Sequence, residues 1–142
     1  MACPYFVPLE IANDVAWPHP SRLPLGAGWR GNCHASGHEV PAADDHVRDF
    51  CNLGYAVACP HLPQQRDWDA IRFCISHESR SQLTLSFVCE LAHAPIEYGT
   101  LTFDLVSEGW VDSTINSATD PRVRRLANSY LQNYRVSRAV AA

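Results

Sequence analysis

Hydrophobic and polar residues alternate in three stretches of the second half of this 142-residue chain. The apolar members of these stretches are Ile71, Phe73 and Ile75, then Leu83, Leu85, Phe87, Cys89 and Leu91, then Leu101, Phe103 and Leu105. A period of two places alternate side chains on one face of a strand. Because the connections between the stretches are short, the pattern predicts a three-stranded antiparallel sheet over residues 69–106.

A different periodicity marks the C-terminal segment. Its apolar residues recur at helical spacing, and they are Val123, Leu126, Ala127, Tyr130, Leu131 and Tyr134. Asp120 suits an N-cap, and Pro121 suits the first helical position. The segment therefore predicts a helix over residues 121–138 that packs its apolar stripe on the sheet.

The first 65 residues follow neither periodicity. They hold eight of the ten prolines and five of the seven glycines, which disfavour helices and central strands. One short helix is expected at Pro41–Phe50, ending beside Cys51. We predict an α+β fold in a single domain, 1–142. A loop-rich, cysteine-containing half (1–65) precedes a half (66–142) that is a three-stranded antiparallel sheet with a C-terminal helix packed on it.

Four cysteines lie in the loop-rich half and are candidate metal ligands. Their spacing is Cys3-x29-Cys33-x17-Cys51-x7-Cys59, and Pro60 follows the last of them. Zinc sites usually take their ligands in close C-x2–4-C pairs, which this sequence lacks. Dispersed thiolates suit the larger [4Fe–4S] cluster, and Cys-Pro dipeptides occur at such ligands. The spacing therefore favours a [4Fe–4S] cluster bound by these four residues.

Zinc is the alternative cofactor, because histidines accompany the cysteines. His34 and His38 follow Cys33 and are second-choice ligands, since zinc accepts mixed thiolate and imidazole sites. Cys74 and Cys89 fall within the predicted strands, and we interpret them as structural. Because zinc has no redox chemistry, the alternative function is a zinc-stabilised scaffold or protein-interaction module without redox function. Disulfides are a further alternative, since the small protein has an even number of cysteines.

The segments around the four cysteines resemble a family of small bacterial proteins that has no assigned activity. The matching segments are CPYFVP at 3–8, GWRGNCHA at 28–35, and CNLGYAVACPHLP at 51–63 followed by DAIRF at 69–73. The family shares a CPYF-like start, a W-x-G-x-C segment and a C-N-x-G-Y-A-x-x-C core. The resemblance implies iron–sulfur binding by the residues that match the family's cysteines, which are Cys3, Cys33, Cys51 and Cys59.

Charge is distributed unevenly along the chain. Within a net charge of -4, residues 121–142 carry +5 and residues 1–120 carry -9. The basic helix is a candidate dock for a protein partner through Arg122, Arg124, Arg125, Arg135 and Arg138. The acidic remainder argues against nucleic-acid binding.

Further features limit the function classes. No apolar run approaches the roughly 20 residues that cross a bilayer, and the N-terminus lacks a basic and apolar leader. We therefore expect a cytoplasmic protein without membrane contact. The sequence has no nucleophile elbow, P-loop or dinucleotide fingerprint, so no catalytic residue is predicted. The expected role is that of a small electron-transfer or redox-sensing protein, or of a protein with a structural cluster.

Overall fold

A computed structural model describes residues 2–18, 20, 23–35, 37, 39–53, 59–111 and 120–141. In chain order the elements are β1 (Phe6–Ile11), β2 (Trp29–Cys33), α1 (Asp44–His46), a π-helical turn (Val47–Cys51), β3 (Ala70–Glu78), β4 (Gln82–Leu91), β5 (Ala94–Asp104), β6 (Gly109–Trp110) and α2 (Pro121–Ala141). The strands form two antiparallel sheets, β1-β2 and β3-β4-β5-β6. No described helix has the length and the apolar character needed to cross a membrane.

The predicted fold class is wrong, because the molecule is mostly β. The N-terminal half is not simply loop-rich, since β1 and β2 pair there as a two-stranded sheet. Both strands of such a sheet have a free edge, so β1 tolerates Pro8, and the register shifts between Pro8 and Glu10. The larger sheet has four strands rather than three. Its fourth strand, β6, has only two residues, which is too short for a visible period of two.

The larger sheet turns one apolar face to the core. Its first three strands pair in consecutive order, with Phe73 opposite Phe87 and Leu85 opposite Leu101. Helix α2 adds its apolar stripe to the same buried cluster through Val123, Leu126, Ala127 and Leu131. The sheet therefore buries the face that the alternation marks, and the helix covers it.

Helix α2 is held at both ends by polar contacts. At its start, Asp120 Oδ1 accepts the backbone N–H of Arg122 at 2.8 Å, which is an N-cap bond. Towards its end, the Tyr134 hydroxyl donates to Glu78 at 2.8 Å. The second contact joins the helix to β3, so the helix has a fixed direction across the sheet.

The N-terminus ties the small sheet to the large one. Ala2 and Ile71 exchange two backbone hydrogen bonds, at 2.7 and 2.9 Å. Within the small sheet, Gly31 permits close approach of β2 to β1, because a Cβ there would lie 1.9 Å from the carbonyl oxygen of Val7. The helix predicted at Pro41–Phe50 begins later, with α1, and ends in the π-helical turn.

Candidate metal centre

The four candidate cysteines all line one small cavity in the N-terminal half, which we call the cysteine cavity. Cys3, Cys33 and Cys51 are buried, and Cys59 is partly exposed. The remaining wall is aromatic, aliphatic and imidazole, from Tyr5, Phe6, Ala35, His46, Phe50, His61 and Leu62. All six cysteines of the chain are free thiols. The fold thus gathers four thiols from four separate segments of the chain.

Backbone hydrogen bonds position Cys3 against Cys51. The N–H of Cys3 donates to the carbonyl of Cys51 at 3.4 Å, and the N–H of Phe6 donates to the carbonyl of Cys3 at 3.1 Å. The second bond closes a tight turn, in which the N–H groups of Tyr5 and Phe6 also reach the Cys3 sulfur. Hydrogen bonds of this kind favour the thiolate form that metals bind.

Cys33 ends β2 and is positioned by β1. It lies opposite Phe6 in the small sheet, and its N–H donates to the carbonyl of Val40 at 3.0 Å. Its sulfur accepts the N–H of Ala35 at 3.4 Å. The backbone amide of the second residue after the cysteine thus acts on both sulfurs: that of Ala35 donates to Cys33, and that of Tyr5 lowers the pKa of Cys3.

The π-helical turn and a buried asparagine set the position of Cys51. The backbone N–H of Asn52 donates to the carbonyl of Val47 at 3.2 Å, one residue further back than in an α-helix. The Asn52 side chain accepts the N–H of Trp29 at 3.0 Å and donates to the carbonyls of Trp29 and Val47 at 2.9 and 3.0 Å. This clamp joins β2 to the turn, so it holds Cys33 and Cys51 on the same cavity.

Two thiols of the cavity, those of Cys3 and Cys51, favour their protonated form when no metal is bound. Burial raises the pKa of Cys3 to about 12, and the neighbouring Cys33 and Cys59 also raise it. Burial, and then the proximity of the other three cysteines, raises the pKa of Cys51 well above its ordinary value. A cation would reverse this preference because it supplies the missing positive charge. Metal binding should therefore release protons.

A second set of ligand side chains lies at the outer wall of the cavity. The Nε2 atom of His46 lies 3.2 Å from the Cys59 sulfur, and the rings of His46 and His61 stack with centroids 4.7 Å apart. The ligand atoms of His46, Cys59 and His61 all lie within 4.8 Å of one another. This group could bind a metal ion, and it shares Cys59 with the cysteine set.

The sequence places His46 and His61 near cysteines, but it favoured His34 and His38 as the second-choice ligands. A usable signal was the Cys59-Pro60-His61 spacing, which puts two ligand types on one turn. His46 carried no such signal, because it approaches Cys59 through the fold. Of the second-choice ligands, His34 has an exposed side chain and is not part of the cavity wall, and His38 lies outside the described residues.

The two remaining cysteines lie in the larger sheet. Cys74 is exposed on β3, and Cys89 is buried on β4. Burial, together with the nearby Glu97 carboxylate, raises the pKa of Cys89 to about 12. Neither residue lines the cysteine cavity.

No protein-family model, curated protein or solved structure matches this chain. The resemblance of the cysteine segments to a bacterial family therefore stays a prediction. The function has to be argued from the geometry and chemistry of the cavity.

Proposed function

We propose that the cysteine cavity binds a [4Fe–4S] cluster through Cys3, Cys33, Cys51 and Cys59, and that the protein serves electron transfer or redox sensing. The observation that carries the proposal is the convergence of four dispersed thiols on one cavity. Four cysteine thiolates are the usual ligand set of such a cluster. The cluster would supply one-electron chemistry, and the chain supplies its ligands and its surroundings.

The origin of the thiols in four separate segments supports a cluster over one zinc ion on the four cysteines. They do not form the close C-x2–4-C pairs from which zinc sites usually take their ligands. The cavity between them has a volume of about 10 Å³, about the space of one water molecule, so the lining side chains would have to move outward to admit a cluster.

The position of the cavity also supports a redox role. Cys59 and its neighbours at the outer wall are partly exposed, so a cluster bound there would lie near the protein surface. Backbone N–H groups on the sulfurs of Cys3 and Cys33 are among the features that set the potential of an iron–sulfur cluster. A cluster with a purely structural role would show no reversible potential in the cellular range.

A protein partner is part of this proposal. The arginines of α2 remain the candidate dock, although several are engaged within the chain. Arg122 pairs with Asp120, Arg135 pairs with Glu108, and Arg138 pairs with Glu78. These pairs reduce the free positive charge of the helix, so we expect only a moderate salt dependence of docking.

Zinc bound by His46, Cys59 and His61 is the second candidate, and it would make the protein a zinc-stabilised scaffold. The observation that favours it is the mutual spacing of these three ligand atoms, within 4.8 Å. Two imidazoles and one thiolate are ordinary zinc ligands. The two candidates use Cys59 in common, so one chain cannot satisfy both fully at once.

The shared cysteine allows a sharp test. The protein is purified without oxygen, and iron, sulfide and zinc are measured per chain together with visible absorption and electron paramagnetic resonance. Cys3→Ser and Cys51→Ser should abolish a cluster and spare a zinc ion on the histidine group. His46→Gln and His61→Gln should do the reverse, and Cys89→Ala is the matched control because it removes a buried thiol outside the cavity. Colourless protein with stoichiometric zinc would reject the cluster.

A further inference from the structure

A half-buried arginine of α2 lies beside the cysteine cavity. The Nη2 atom of Arg125 donates to the carbonyl of Pro4 at 3.3 Å, next to Cys3 in the chain. The Nε atom of Arg125 is buried and finds no hydrogen-bond partner among the described residues. The side chain interacts favourably with Asp120 and unfavourably with the neighbouring guanidinium of Arg122. The arginine therefore brings a positive charge to the turn that carries the first thiol of the cavity.

This charge is poorly compensated in the metal-free protein. Burial lowers the pKa of Arg125, which shows that desolvation outweighs the favourable interactions of the guanidinium. The Asp120 carboxylate is already engaged, since it pairs with Arg122 at 3.0 Å and caps α2. A partly buried cation normally requires a partner of opposite charge.

We propose that Arg125 is the counter-charge of an anionic thiolate centre in the cysteine cavity and that it raises the reduction potential of that centre. The inference rests on the proposed function. A [4Fe–4S] cluster with four thiolate ligands is a net anion, and one added electron makes it more negative. A nearby guanidinium therefore stabilises the reduced state more than the oxidised state.

The net charge of the bound metal site distinguishes the two candidate centres. Zinc bound by His46, Cys59 and His61 would carry a net positive charge, because only one of the three ligands is anionic. A neighbouring arginine would not stabilise that centre. Arg125 therefore supports occupancy of the four-thiol cavity, and it acts as a positioning residue through its charge and its bond to Pro4.

The neighbouring arginines of α2 do not share this role. Arg122 is matched by Asp120 and by Asp67, at 3.0 and 3.1 Å, and its guanidinium lies 4.2 Å from the ring centre of Trp68. Arg124 lies 6.0 Å from the ring centre of Trp110. Arg124→Gln is therefore the matched control, because it removes the same charge from the next position of the same helix.

The test uses the full chain, reconstituted without oxygen with iron and sulfide, as wild type, Arg125→Gln, Arg125→Lys and Arg124→Gln. Midpoint potentials are measured by mediated titration with dithionite as the reductant, and circular dichroism verifies folding. For Arg125→Gln we expect about a tenfold smaller equilibrium constant for reduction, a negative shift of about 59 mV for one electron. Arg125→Lys keeps the charge and should shift this constant by less than about threefold, and Arg124→Gln by less than about twofold.

Each outcome decides the inference. If the cluster forms and Arg125→Gln shifts the potential no more than Arg124→Gln does, the role of Arg125 is rejected and the proposed function stands. If wild type takes up neither iron nor zinc, both fail. If it takes up zinc alone, no midpoint potential can be measured, and the release of zinc to a competing chelator is measured instead. Arg125→Gln should then release zinc about tenfold more readily from four thiolates, and equal retention overturns the inference. Should Arg125→Gln not fold, Arg125→Met replaces it, because methionine also removes the charge and keeps an unbranched apolar chain at this half-buried position.

Discussion

Cys3 and Cys89 are both buried thiols whose pKa is raised to about 12, yet their surroundings differ. Cys3 shares a cavity with three other cysteines, and its sulfur accepts backbone N–H groups. Both residues belong to the main core, but Cys89 lies opposite Ile71 on the apolar face of the larger sheet and does not line the cysteine cavity. Burial alone therefore does not identify a ligand. The gathering of further donors around the same space does.

The regions that hold these two thiols also differ in what stabilises them. The four-stranded sheet and α2 bury a continuous apolar cluster on one face, which is the usual basis of independent stability. The small sheet has two strands only, and an isolated pair of strands is marginally stable. It joins the same apolar cluster through Phe6 and Trp29, and the Asn52 clamp and the bonds of Ala2 to Ile71 hold it in place. We therefore expect the N-terminal half, and not the second half, to depend on metal.

Loss of the metal should produce the largest difference in stability between the two halves. Cys51→Ser should lose the metal and destabilise the N-terminal half by several kcal/mol, since binding energy at such a site is also folding energy. Hydrogen exchange should rise across residues 2–53 and stay slow across 82–104. Cys89→Ala should keep its metal. Equal loss of protection in both halves, or retention of metal by Cys51→Ser, would contradict the comparison.

Alkaline pH should distinguish the two buried thiols. An unfolded thiol ionises near its ordinary pKa of 9.0, whereas folded Cys3 and Cys89 keep their protons up to about 12. The folded state then binds more protons between pH 9 and 12, so stability falls as pH rises through that window, by up to about 1.4 kcal/mol per pH unit for each thiol.

Metal should remove from this slope the shares of Cys3 and of Cys51, whose pKa is also raised, because a bound thiolate carries no proton to lose. The share of Cys89 should persist in the loaded protein and disappear in Cys89→Ala. Denaturant unfolding at a series of pH values, with and without metal, measures the contributions of the cavity thiols and of Cys89 to the pH dependence of stability. Identical slopes for loaded and metal-free protein would show that Cys3 is not a ligand.

Removal of the asparagine clamp should have the next largest effect. Asn52→Ala leaves buried backbone groups of Trp29 and Val47 without their partner, and we expect a loss of about 3 kcal/mol. Chemical denaturation gives the magnitude, and metal analysis should show weakened binding because Cys33 and Cys51 lose their common support. Asn13→Ala, at an exposed position, is the control. A normal metal content in a folded Asn52→Ala protein would reject the positioning role.

Removal of the N-cap of α2 should have the smallest effect on stability, and this effect should be confined to the second half. Asp120→Ala removes the N-cap acceptor of the Arg122 N–H and should lower stability by about 1 kcal/mol. Asp120→Asn keeps an acceptor at this position and should retain most of that stability. Thermal unfolding measures both variants. A change in metal content with Asp120→Asn would show that the two halves are coupled more tightly than we infer.

Local patterns in the sequence were sufficient for β3, β4, β5 and α2 of the second half, and among the described residues there they missed only the two-residue β6. A period of two describes β3, β4 and β5, and helical spacing with a capping aspartate describes α2, because each pattern states which face of one segment is buried. The same reasoning failed for β1 and β2. Their pairing depends on contacts between distant residues, and the proline in β1 is tolerated only because the strand has a free edge.

The sequence by itself determined the candidate ligands, since only cysteines and histidines supply thiolate and imidazole donors to a soft metal. The tertiary structure decided which of them meet. It joined Cys3 to Cys51 through the backbone, brought His46 to Cys59, and placed Arg125 on Pro4 across a separation of 121 residues. No local period encodes such contacts, because they arise when the packed halves bring remote segments together. The positive charge beside Cys3 is therefore a property of the fold.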